Sequence, residues 1–124
     1  MITISSHILD TVSGDHARGI RVQCLKLSKK QNNLILSEPV FDIIANQEGR
    51  ILESVELDGS NDNYDLIFHS KSYFESHEAI SSSTLKTIQV MEVVTVRLSL
   101  TDKKPKYHVP IMLSPHSYSV WWSA

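Results

Sequence analysis

Residues 105–115, Pro105-Lys106-Tyr107-His108-Val109-Pro110-Ile111-Met112-Leu113-Ser114-Pro115, alternate strictly. Tyr107, Val109, Ile111 and Leu113 form one row, and Lys106, His108, Pro110 and Met112 form the other. Period-two alternation is the signature of a strand with one face in a core, so the first row is read as buried and His108 as pointing away from the core. The start of the chain repeats the pattern. Ile2, Ile4 and Ile8 share one face, and Thr3, Ser5, His7 and Leu9 share the other. His7 therefore also points outward. Pro110 and Met112 make the outer row near His108 too apolar for an ordinary wet surface, which implies cover by another subunit.

Working outward from these two segments, β-branched runs separated by Gly, Asn, Asp, Ser and Pro predict strands at about residues 2–10, 20–27, 40–46, 51–56, 64–70, 86–100, 105–113 and 117–122. Eight strands suit an all-β sandwich of two antiparallel layers. Between Lys71 and Ile80 the alternation fails, and Tyr73, Phe74 and His77 fall at helical spacing, which predicts one short helix. Residues 28–38 and 58–63 read as loops.

At 124 residues the chain is expected to form one domain over residues 1–124. A net charge of −2, with lysines and arginines scattered rather than clustered, gives no electrostatic footprint for nucleic acid or an anionic membrane. Small molecules, as substrate, or proteins are the expected partners. The single cysteine, Cys24, sits among alternating apolar neighbours and is read as a buried structural thiol. The sequence carries no run of about eighteen apolar residues and no basic-then-apolar leader pattern, so the cytoplasm is the expected location.

Six histidines, His7, His16, His69, His77, His108 and His116, show no H-E-x-x-H spacing, and no Cys-x-x-Cys accompanies them. No metal site or cofactor is expected. His16 is placed in a loop and His69 and His77 beside the helix, all three with surface or structural roles. No Gly-x-Ser-x-Gly elbow is present, which favours direct attack by water over an acyl-enzyme.

Four motifs in order, Ser6-His7-Ile8-Leu9-Asp10-Thr11, Gly49-Arg50-Ile51, Tyr73-Phe74 and Tyr107 to Pro115, together resemble the signatures of the 5-hydroxyisourate hydrolases, purine-catabolic enzymes on the transthyretin fold. The resemblance runs nearly the whole length. It implies a transthyretin-like sandwich assembled as a homotetramer, a dimer of dimers, with substrate sites in the channel where two dimers meet. It also implies hydrolysis of 5-hydroxyisourate to 2-oxo-4-hydroxy-4-carboxy-5-ureidoimidazoline without cofactor or metal. His7, Arg50 and His108 would be the catalytic residues. Imidazole titrates near neutrality and can take a proton from water, with His108 the favoured base and His7 the helper, although the sequence leaves their roles exchangeable. Arg50 would bind substrate and stabilise the oxyanion. Tyr118 and Ser119 match a substrate-binding pair. The family ends in Tyr-Arg-Gly-Ser, whereas this chain reads Trp121-Trp122-Ser123-Ala124. That difference raises an alternative, a noncatalytic transthyretin-like protein holding an aromatic ligand in the same channel.

Overall fold

The computed structural model describes residues 1–58, 63–77, 89–101 and 104–124. Within them the chain forms strands β1 (Ile2–Asp10), β2 (Asp15–His16), β3 (Arg21–Lys29), β4 (Ile35–Ile44), β5 (Arg50–Val55) and β6 (Asn63–Phe68). Helix α1 (Ser70–Glu75) follows, and then β7 (Val94–Ser99), β8 (Lys106–His108), β9 (Ile111–Leu113) and β10 (Tyr118–Val120). Two sheets face each other. One runs β4-β3-β6-β7; in the other β1 is central, with β5 and β2 on one edge and β8, β9 and then β10 on the other side. Ile4, Ile8, Val109, Ile111 and Leu113 from the β1 sheet and Val22, Cys24, Leu66 and Phe68 from the other fill the core between them. The β-sandwich and the apolar rows expected from alternation are what the structure has.

The eight expected strands are all represented, with three refinements: of the described residues in the strand expected over 86–100, only Val94–Ser99 form it, as β7. The two-residue β2 is additional, and the stretch expected as one strand over 105–113 divides into β8 and β9. Pro110 causes the division, because it has no N–H to donate to a ladder. The carbonyls at the break are still satisfied: Ser6 Oγ donates to Val109 O at 2.5 Å and Trp121 N–H to Pro110 O at 3.3 Å. Both β8 and β9 pair with β1 in parallel, within a sandwich whose other pairings are antiparallel. Pro110 is itself buried within the chain. Its apolar character therefore does not require a second subunit, contrary to the reading of that outer row.

The expected loop at 28–38 shrinks to five residues. β3 and β4 pair out to Lys29 and Ile35, and Asn33 takes a left-handed conformation in the turn with φ 60°. Short amide side chains tolerate that region, so Asn33 permits the tight reversal. The expected strand residues from 86 to 88, the loop residues 59–62 and the helix residues 78–80 lie outside the described residues.

Helix α1 is short but anchored. Tyr73 OH donates to Asp10 Oδ2 at 2.9 Å in the buried interior, and Asp10 Oδ1 accepts from the Val12 and Ser13 N–H groups at 2.8 and 3.1 Å. Burial, and then the Asp10 carboxylate, push the Tyr73 phenol well above its usual range, so it stays a donor. Cys24 is buried and free, its thiol pushed up to about 12 chiefly by burial, in keeping with a structural residue. Among the described residues no helix is long and apolar enough to cross a membrane.

Candidate active site

The outer face of the β1 sheet gathers the polar residues. Register places His7 opposite Arg50 on β5, Ser5 opposite both Leu52 on β5 and His108 on β8, and Thr3 opposite Lys106. Residues paired across strands share a face, so His7, Ser5, Arg50, His108 and Lys106 all stand on the side away from the core. A cavity of about 290 Å³ opens there, lined among others by Ser5, Asn46, Arg50, Leu52, Lys106 and His108. Among the described residues no carboxylate lines it.

Arg50 owes its position to the turn before it. Asn46 Oδ1 accepts from the Glu48 and Arg50 N–H groups at 2.9 and 3.0 Å, and Asn46 N–H donates to Arg50 O at 3.0 Å. Gly49 makes the turn possible in two ways. Its φ is +67°, and a Cβ there would sit 2.5 Å from Ile8 O and 3.0 Å from Ala17 N. Only glycine fits a left-handed backbone pressed this closely on β1. Ile8 N–H donates to Gly49 O at 2.7 Å, which locks the start of β5 against the strand carrying His7. The Arg50 side chain is half exposed, with Glu48 no nearer than 3.9 Å.

His108 is half-buried, with Nδ1 2.8 Å from Ser5 Oγ and Nε2 without a protein partner among the described residues. Burial first, then the positive charges of Lys106 and Arg50, lower its affinity for a proton. A neutral imidazole with one nitrogen held and the other free is the state a general base needs near neutral pH. His7 is likewise shifted downward by burial, Arg50, His16 and His108, against a hydrogen bond with the Glu48 backbone. It does not line the cavity; its Nε2 lies 2.9 Å from His16 Nδ1.

Of the residues singled out in the sequence, the fold brings Arg50 and His108 together at the cavity and sets His7 beside Arg50. Tyr118 and Ser119 are exposed on β10, opposite Leu113 and Met112, and are not part of this cavity in a single chain. His69 Nε2–H donates to Gln23 Oε1 at 2.5 Å, and His77 packs on Tyr73 with ring centroids 3.9 Å apart; neither lines the cavity. His16 is different: it belongs to β2, opposite Leu9, rather than to a loop.

Three further residues went unmarked. Ser5 and Lys106 were legible in principle, since each lies two positions from a singled-out histidine on the same strand face. Ser123 was not, because it depends on how the tail folds back. His108 and Ser123 exchange both backbone N–H···O bonds, each 2.8 Å, as an isolated antiparallel bridge. The neighbouring Trp122 packs on Tyr107, ring centroids 5.9 Å apart, and lines a second cavity of about 230 Å³. Among the described residues no three His, Cys, Asp or Glu side chains are placed to share a metal ion.

Comparison with known proteins bears on this arrangement. The chain is 31% identical over 120 residues to a 5-hydroxyisourate hydrolase of Deinococcus radiodurans, covering 95% of this chain and 92% of that one. It is 29% identical over 121 residues to 5-hydroxyisourate hydrolase 2 of Rhizobium meliloti, covering 95% and 92%. The solved structure of Klebsiella pneumoniae 5-hydroxyisourate hydrolase superposes with a TM-score of 0.71 at 21% identity over the full length of both chains, a likeness of fold. Residues 4–122 match the sequence model of the HIUase/Transthyretin family, and with the sandwich and the relatives just described the chain belongs to that family.

Proposed function

We propose that this protein hydrolyses 5-hydroxyisourate, and that His108, Arg50 and His7 carry the reaction. The observation that carries the reading is the geometry of His108, held by Ser5 through Nδ1 on the wall of a cavity that also contains Arg50. The relatives' names supply the substrate; the cavity supplies chemistry that suits it. At about 290 Å³ it is near the lower end of the usual small-molecule range of roughly 300–1,000 Å³, and it sets the cations Arg50 and Lys106 and the hydrogen-bonding Ser5, Asn46 and His108 beside the apolar Ile51 and Leu52, a combination that suits a carbonyl-rich heterocycle.

In the proposed reaction water adds to the ring carbonyl carbon as His108 Nε2 takes its proton. Arg50, assisted by Lys106, stabilises the negative charge that develops on the carbonyl oxygen. The ring C–N bond then breaks, and the imidazolium returns the proton to the departing nitrogen. The product is the ring-opened carboxylate, 2-oxo-4-hydroxy-4-carboxy-5-ureidoimidazoline. Ser5 fixes the imidazole's orientation, so His108 is the better placed of the two histidines to be the base, and His7 acts beside Arg50.

The proposal extends to a homotetramer in the cytoplasm. Support for assembly comes from half-exposed Tyr118, Trp121 and Trp122 along one side of the β1 sheet, since exposed aromatics cluster at interfaces. Freshly generated 5-hydroxyisourate tests the function: its ultraviolet decay is expected to run well above the spontaneous rate, with light scattering on the same sample giving the tetramer mass. Folded protein that leaves the spontaneous rate unchanged overturns the hydrolase reading. In that case the noncatalytic alternative gains, an aromatic ligand held in the same channel.

A further inference from the structure

His16 carries an inference that rests on the hydrolase reading. We propose that its imidazole is the positioning partner of His7, fixing that ring's tautomer and holding it neutral beside Arg50. His7 Nε2 and His16 Nδ1 are 2.9 Å apart, with the ring centroids 5.1 Å apart and the planes tilted by 39°, so the nitrogens meet edge to edge rather than stacking. The fold builds this meeting from three directions. β2 sets His16 opposite Leu9, which shares a face with His7; Ala17 N–H donates to Ile8 O at 2.9 Å; and Gly49 leaves the space in which a Cβ would stand 3.3 Å from His16 Cβ.

A hydrogen bond between two neutral imidazoles needs one N–H and one lone pair, so each ring constrains the other. The direction is part of the proposal: with Nε2 turned to His16, His7 carries its proton on Nδ1, and the Glu48 backbone, which favours a proton on the ring, acts in the same sense. His7 Nε2 then keeps its lone pair, and His16 supplies Nδ1–H.

The groups facing His7 make neutrality matter. Arg50 stands across from it on β5, His108 lies on β8, His16 is on β2, and all three count against a proton on the ring, as does burial. Beyond His16, the Asp15 carboxylate is engaged by the His16 N–H at 2.7 Å and by Arg18 at 3.0 Å. A charged His7 would add another cation next to Arg50 and weaken His108 as a base. By occupying Nε2 as a donor, His16 closes the nitrogen at which that proton would arrive.

The test is imidazole nitrogen NMR of the folded protein near pH 7.5, paired with kinetics. His7 is expected in the Nδ1–H form, opposite to the Nε2–H form that a free imidazole favours. His16→Phe is expected to return His7 to Nε2–H or a mixture and to lower kcat about two- to tenfold at little-changed KM, the scale of one neutral hydrogen bond acting on the chemical step. His16→Asn, whose amide places an N–H near the position of Nδ1, is expected to restore both the tautomer and most of the rate. A wild-type His7 in the Nε2–H form, a tautomer indifferent to His16→Phe, or an Asn variant no better than Phe overturns the proposal. The NMR readout needs no turnover, so an inactive protein with the expected tautomer sinks the hydrolase reading alone.

Discussion

The outer faces of the two sheets treat charge in opposite ways. On the β4-β3-β6-β7 sheet the cations are matched: Arg21 makes two hydrogen bonds to Asp42, at 2.8 and 2.6 Å, and Arg97 two to Asp65, at 2.9 and 3.1 Å. On the β1 sheet Arg50 and Lys106 line one cavity beside the neutral His108; among the described residues no carboxylate stands in its walls, and Glu48 comes no nearer to Arg50 than 3.9 Å. Satisfied pairs of the first kind add little stability and leave no reactivity. A cluster of like charge gains nothing for folding, which makes it the better pointer to a ligand that brings the missing negative charge.

The largest expected effect separates the two faces by histidine. His108→Ala is expected to slow hydrolysis of 5-hydroxyisourate by roughly 10²- to 10⁴-fold, the usual worth of general acid–base catalysis. His69→Gln, on the matched face, is expected to leave the rate within about twofold, given that its partner there is a side-chain amide. Comparable losses in both variants, measured by ultraviolet decay with circular dichroism confirming the fold, would erase the distinction.

A smaller change would make the β1 face resemble the other. Leu52 is 68% exposed and lies across from Ser5 on the cavity wall, so Leu52→Asp introduces a carboxylate at little structural cost. It is expected to draw on Arg50 and raise KM by roughly ten- to a hundredfold, on the scale of one charged hydrogen bond of about 1.5–3 kcal/mol. Steady-state kinetics check it; an unaltered KM means the bare positive charge is not what binds substrate.

The smallest effect concerns acid. His7, His69 and His108 are all lowered from 6.5, first by burial in each case. Each ring therefore takes up a proton more readily in the unfolded chain than in the folded one. Stability is full above about pH 6.5 and falls as pH drops through that value toward the lower folded values. Thermal melts from pH 7.5 to 5 are expected to show declining Tm, with the slope reduced in His69→Gln. Activity should decline over the same acidic interval as His108 gains its proton, and His69→Gln should not move that limb. A Tm independent of pH contradicts the burial assigned to these rings.

Much of this face was legible in the sequence because alternation is a local property. Ile4 against Ser5, or Val109 against His108, needs only neighbouring residues to assign, and the family motifs marked Arg50. What escaped depends on register between distant segments. His16 looked like a loop residue because a two-residue strand carries no periodicity, and only pairing with Leu9 brings it to His7. Lys106 could be placed on the face of His108 by alternation, but only the laying of β8 along β1 brings it to Thr3 and the cavity. Trp121 and Trp122 dominated the reading of the tail by their size, while Ser123, the residue bridged to His108, drew none. The loop at 28–38 was overdrawn for a related reason: Ile35 and Leu36 stay largely exposed, so no alternation announced their pairing with β3.

The placing of β1 has a consequence for how the protein is made. Ser5 and His108, 103 residues apart, meet only when β8 docks on the first strand, and Ser123 follows later still. During synthesis β1 emerges from the ribosome with that edge unsatisfied, a template for wrong partners until β8 arrives. Loop closure over such a distance is slow, and no product of translation that stops short of β8 contains both halves of the cavity. The appearance of activity would thus time the end of folding rather than its beginning, and a nascent chain stalled before residue 105 would be catalytically silent however well its second sheet had formed.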